Sequence, residues 1–154
     1  MKKVAVSACL LGNECRYDAT GRYDKELLEL LKDYEIVAFC PEDYCFGSPR
    51  PTMDLIDYGD RVDAISNLSG ANLSPCIREY AKAFFHNHQD LNLFIGKDRS
   101  PSCGVCNAKV FDKDKVLLSE QGTGLMAKEA IEQGIESYGA EEFVLKFGNG
   151  GVSG

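Results

Sequence analysis

Residues 3–9 read KVAVSAC and residues 24–39 read DKELLELLKDYEIVAF. The first run alternates small and β-branched residues, the pattern of a strand. In the second, Asp24–Asp33 sets Leu27, Leu28, Leu30 and Leu31 on one helical face, and Glu35–Phe39 returns to strand-like residues. Strand, helix and strand in that order make a βαβ unit, whose two strands run parallel.

Working outward, Leu91–Ile95 reads as a third strand, after a helix that begins at Ser74-Pro75 and runs to about His88. The segments AKVF and KVLL form a short strand pair across DKDK, and Thr123 caps a last amphipathic helix that Gly134 ends. The stretch between Pro51 and Ser74 reads as irregular. Strands alternating with helices predict a single three-layer α/β domain with a mainly parallel, Rossmann-like sheet. It is expected to span residues 1–147, with 148–154 (GNGGVSG) a flexible tail.

Composition narrows the function. The 154 residues are 44% hydrophobic and 27% charged, a mixture that builds one ordinary soluble core. A net charge of −7 with no Lys/Arg run argues against non-specific nucleic-acid binding and favours a small-molecule partner. The apolar run after Lys3 is too short for a secretion signal or a membrane span, so the expected location is the cytoplasm, where thiols stay reduced. Seven cysteines are an odd number, and in that setting they point to metal binding or chemistry rather than to a disulfide framework.

Three of the seven stand at strand ends. Cys9 closes the first strand, Cys40 follows the second, and Cys103 lies in the loop RSPSCGVC that leaves the third. Parallel strands present all their carboxyl ends at one edge, so these three should converge. The same loops carry Arg16, Tyr17, Asp18, Glu42, Arg50, Lys97, Ser100 and Ser102. The plain alternative is three small buried residues. A lone CxxC, Cys103 with Cys106, is a weak zinc signal, whereas thiolates also hold iron–sulfur clusters, and three protein ligands leave one iron open.

Three motifs in order sharpen this: SACLLG with CRYD at Cys9–Asp18, CPE at Cys40–Glu42 followed by PRP at Pro49–Pro51, and SPSCG at Ser100–Gly104. Together they resemble the domain-of-unknown-function family 523, some members of which are thiouracil desulfidases. The resemblance runs from Val4 to about Gly134. It implies a [4Fe-4S] cluster on Cys9, Cys40 and Cys103, and non-redox removal of sulfur from a thiolated base. It further implies Glu42 as general acid/base, Ser100 as an orienting hydroxyl, and Asp18 and Lys97 as substrate contacts. Two departures stand out: DATG where many members have YDGG, and the extra Cys45, which either replaces Cys40 or closes the open iron. A non-catalytic protein with a closed four-thiolate site, completed by Cys45 or Cys106, is the alternative. Glu42 has its own structural alternative, a pairing with Arg50. Cys15 reads equally as a neighbour of the site or a loop residue, Cys76 as core, and Cys106 as a bystander.

Overall fold

The computed structural model describes residues 2–18, 20–21 and 23–148. β1 (Lys3–Ser7) is followed by a 3-10 turn (Ala8–Leu11), α1 (Lys25–Leu30), β2 (Glu35–Phe39) and α2 (Pro41–Phe46). Next come β3 (Met53–Asp57), β4 (Val62–Ser66), α3 (Ser74–Asn87) and β5 (Leu93–Gly96). β6 (Ala108–Asp112), β7 (Leu117–Gly122), α4 (Leu125–Glu132), β8 (Glu136–Gly139) and α5 (Ala140–Phe143) complete the chain, with a π-helical turn at Val144–Gly148. Of the expected tail, Gly148 belongs to that turn and 149–154 lie outside the described residues.

One sheet has the order β2-β1-β5-β8, with every pair parallel. Alternation along β1 explains its two covers. Val4 and Val6 join Leu93 and Ile95 against Leu27, Leu31 and Phe143 on one face. Ala5 joins Phe39 and Phe94 against Phe84 and Phe85 of α3 and Met126 of α4 on the other. Phe39 and Phe94 stack with ring centroids 4.9 Å apart. Each of these fully buried side chains contributes roughly 1.5–3 kcal/mol of transfer free energy. The expected α/β fold with a parallel sheet between helical layers is therefore present.

A second sheet, β4-β3-β6-β7, was not expected as a whole, although the strand pair read across DKDK is present in it as the β6–β7 hairpin. It mixes two antiparallel hairpins with one parallel pair, β3 with β6, and packs Leu55, Ala64 and Ala108 against Ile77 and Leu125. Its first hairpin occupies the stretch read as irregular. Aspartates break the apolar run there, and one of them, Asp63, is 1% exposed. It is held by Arg61 Nε at 2.7 Å, Arg78 Nη1 at 2.9 Å and Asn72 Nδ2 at 3.2 Å. Partners distant in sequence make that residue a strand residue.

Local differences have local causes. β1 stops at Ser7 rather than Cys9 because the chain tightens into the 3-10 turn, ended by Gly12 in the left-handed region at φ 96°. Ser74 does not cap α3; its hydroxyl accepts the Ala64 amide at 2.7 Å. Thr123 donates to the Val105 carbonyl at 2.9 Å, and Gly124 takes the N-cap position of α4. Cys76 is not a plain core residue: it forms a disulfide with Cys45, which ties α2 to α3 across 31 residues of sequence. The expectation that all thiols stay reduced is corrected at this pair. No helix among the described residues is long and apolar enough to cross a membrane.

Burial pushes the Asp63 pKa up, but the bonds from Arg61 and Arg78 outweigh it and the net shift is downward. A lowered folded-state pKa means the stabilisation is present above the unfolded value and is lost as pH falls through the folded one. Asp63→Ala should cost about 1–3 kcal/mol in urea unfolding at neutral pH. The gap from wild type should narrow below about pH 4.

Candidate active site

The chain leaves β1, crosses to β2 on one side, and later returns to β5 on the other side of β1. The strand order reverses there, and a crevice opens at the carboxyl ends of these strands. A cavity of about 320 Å³ occupies that place. Its wall carries the thiols of Cys9, Cys15, Cys40 and Cys103 together with Glu42, Lys97, Ser100 and Ser102. Six of the seven expected site residues thus share one cavity. Asp18 does not line it: its carboxylate is exposed and accepts the Thr20 hydroxyl at 2.5 Å.

Each thiol is set by a different piece of backbone. Cys9 sits in the 3-10 turn beyond β1, and Cys40 is the N-cap of α2, with its amide donating to Tyr80 Oη at 3.1 Å. Cys103 is held by the folding of the SPSCG loop on itself. Ser100 Oγ accepts the amides of Ser102 at 3.2 Å and Cys103 at 3.0 Å, while the Gly104 amide donates to the Ser100 carbonyl at 2.9 Å. Two glycines make room for that loop. A Cβ on Gly96 would overlap the Cys103 carbonyl, and one on Gly124 would press on the Ser102–Cys103 peptide.

A carboxylate faces the same loop. Glu42 Oε2 accepts Ser102 Oγ at 2.5 Å and Ser100 Oγ at 3.4 Å. Its other oxygen lies 3.4 Å from Arg50 Nε, in a pair whose side chains are 13% and 5% exposed. Arg50 also donates through Nη1 to the carbonyls of Cys15 and Gly47, each at 2.9 Å. The pairing of Glu42 with Arg50 is present, and its other carboxylate oxygen faces two serines on the cavity wall. Ser102, to which the sequence assigned no part, is the closest partner of Glu42 and also lies 3.3 Å from Cys103 Sγ. Its signal was the doubled serine of SPSCG, which proximity to Ser100 obscured.

Burial governs the charges. It pushes the Cys9, Cys15 and Cys103 thiols up, and Cys40 up to about 12. Burial lowers Lys97, partly countered by the nearby Cys9, and its Nζ donates to the Asp98 carbonyl at 3.1 Å. Buried thiols of this kind are neutral in metal-free protein, and they release protons when a metal takes the thiolate form.

The family profile for 2-thiouracil desulfurase matches residues 4–142. The chain belongs to the 2-thiouracil desulfurase family. The [4Fe-4S]-dependent thiouracil desulfidase TudS has a similar solved structure: TM-score 0.72, 25% identity, covering 92% of this chain and 93% of that one. The uncharacterized protein YbbK of Bacillus subtilis (strain 168) is 29% identical over 109 residues, 66% of this chain and 72% of that protein.

Does the donor set of this 2-thiouracil desulfurase family member suit such a cluster? Among the described residues no three His, Cys, Asp or Glu side chains are grouped closely enough to hold a single metal ion. A cubane makes a different demand, because it spreads its thiolates over separate corners. Soft thiols carried by separate backbone segments into one cavity suit that demand, and Cys9, Cys40 and Cys103 all line this one. Cys45 is bonded to Cys76, and Cys106 is exposed and absent from the cavity wall, so neither completes a fourth position.

The glycine contacts make a direct check. Gly96→Ala should cost about 1–3 kcal/mol by overpacking, and iodoacetamide should alkylate Cys103, 6% exposed in the native chain, several-fold faster in the metal-free protein.

Proposed function

We propose that this chain holds a [4Fe-4S] cluster on thiolates of the site described above and uses it to replace the sulfur of a thiolated pyrimidine, such as 2-thiouracil, by oxygen. The reaction is hydrolytic and non-redox: thiocarbonyl and water give carbonyl and hydrogen sulfide, with no change in the oxidation state of carbon. One observation carries the reading above all. The wall that bears Cys103 also bears Glu42 with two serine hydroxyls, so soft sulfur ligands and a proton-transfer group face one cavity.

When bound, the cluster supplies a Lewis-acidic iron with affinity for sulfur. The remaining work falls to the chain. Glu42 accepts a proton from the attacking water and returns one to the departing sulfur, a general acid/base part worth typically 10²–10⁴-fold in rate. Ser100 orients the water through its hydroxyl. Ser102 fixes the Glu42 carboxylate in its position over the loop, and Arg50 restrains the opposite carboxylate oxygen. Lys97 and Arg16, both on the cavity wall, meet the electron-rich edge of the base. In this reading Lys97 keeps the substrate contact expected of it, and Arg16 takes the one expected of Asp18.

The test is anaerobic reconstitution followed by incubation with 2-thiouracil, measuring sulfide and uracil. Equal amounts of both, formed without added reductant, support the proposal; a fully loaded protein that releases neither overturns it. Cys9→Ala and Cys103→Ala should each lose the iron. Glu42→Gln should keep its iron and lose turnover by about 10²-fold or more.

A further inference from the structure

The cavity wall holds one thiol more than a three-cysteine cluster uses. Cys15 is 6% exposed and lines the same wall as Cys9, Cys40 and Cys103. Its loop is clamped from outside: Arg50 Nη1 donates to the Cys15 carbonyl at 2.9 Å, and the Arg50 amide donates to the Tyr17 carbonyl at 2.6 Å. The clamp holds the Cys15 backbone beside Cys40. Cys40 Sγ donates to the Cys15 carbonyl oxygen at 3.7 Å, so the two cysteines are touching neighbours on the cavity wall.

That contact restricts what the pair can do. Each corner iron of a cubane takes one thiolate, and the corners hold their thiolates apart. Two thiols borne by touching residues suit one corner, not two. Cys103 is different, since its neighbour is the Ser102 hydroxyl rather than a second thiol. Cys45 and Cys106, the other cysteines near in sequence to the ligands, are excluded by the disulfide and by exposure.

We propose that Cys15 and Cys40 are alternative ligands for a single corner of the cluster, each able to hold it when the other is absent. The inference rests on the cluster reading above and extends it. The thiol not bound to iron stays beside the ligating sulfur as an S–H donor, and hydrogen bonds to cluster sulfurs are among the factors that set a cluster's properties. The corner open to substrate is untouched by this exchange. Only the corner served from the second strand is shared.

The experiment measures iron and acid-labile sulfide per chain after reconstitution, with the electron paramagnetic resonance spectrum of the reduced cluster as a second readout. It compares wild type with Cys15→Ala, Cys40→Ala, Cys40→Ser, the Cys15→Ala/Cys40→Ala double variant and Cys103→Ala. The expected result is iron near the wild-type amount in each single Cys15 or Cys40 variant, with a shifted spectrum when Cys40 is replaced. The double variant and Cys103→Ala should be empty. Cys40→Ser keeps the size of the side chain, so lost packing is not mistaken for a lost ligand. A Cys40→Ala or Cys40→Ser protein as empty as Cys103→Ala overturns the proposal, as does an empty Cys15→Ala or a double variant that keeps its iron. Wild type that binds no iron sinks the cluster reading itself, and this inference with it.

Discussion

β1 is hydrogen-bonded on both edges by parallel strands, and this pairing is the constraint on which the site depends. In register, Ser7 lies opposite Phe39 and Val6 opposite Ile95, so the chain emerges from three neighbouring strands at the same level. Cys9, Cys40 and the loop to Cys103 follow those exits directly. Alternating burial on β1 holds the arrangement firm, because slipping by one residue would turn Val4 and Val6 away from α1 and Ala5 away from α3. The three cysteines share one cavity as a consequence of packing far from them.

The second sheet has its part in the same arrangement. β6 and β7 lead from the SPSCG loop into α4, and the start of α4 returns to grip that loop. Met126 donates its amide to the Ser102 carbonyl at 2.8 Å, and Gly124 to Gly104 at 2.7 Å. Facing that loop, α2 is short and buries only Pro41, yet it carries Cys40 at its N-cap and Glu42 in its first turn. Its attachments to α3 compensate: the disulfide from Cys45 to Cys76, the Tyr44–Tyr80 ring contact at 5.2 Å, and the hydrogen bond from the Cys40 amide to Tyr80. Helices thus hold both the SPSCG loop and α2, and in the proposed reaction the Glu42 carboxylate is fixed relative to the thiols before substrate arrives. Preorganisation of that kind lowers what must be reorganised during reaction.

Much of this was legible in the residues. Clean apolar periodicity made β1, α1 and β2 readable, and Glu35–Phe39 coincides with its strand end to end. Convergence of Cys9, Cys40 and Cys103 followed from the rule for parallel sheets. Where local sequence is ambiguous, the reading failed: MDLIDYGDRVDAIS looks irregular because Asp63 interrupts it, and its partners Arg61, Asn72 and Arg78 come together only in the fold. The sequence leaves Cys15 open between a neighbour of the site and a loop residue, and places Ser102 on the loop without a role, because their settings depend on Arg50 and on the approach of α2. The pairing of Cys45 with Cys76 joins two helices whose packing no local pattern announces.

The central claim is that the crevice beyond β1, β2 and β5 houses an iron–sulfur cluster. Crystals of the reconstituted protein, measured at the iron absorption edge, test it most directly. The account predicts anomalous density for a four-iron cluster inside the cavity, against Cys9, Cys103 and the Cys15–Cys40 pair. Iron bound at Cys106 or elsewhere on the surface, or a fully folded protein with no iron in that cavity, would contradict it.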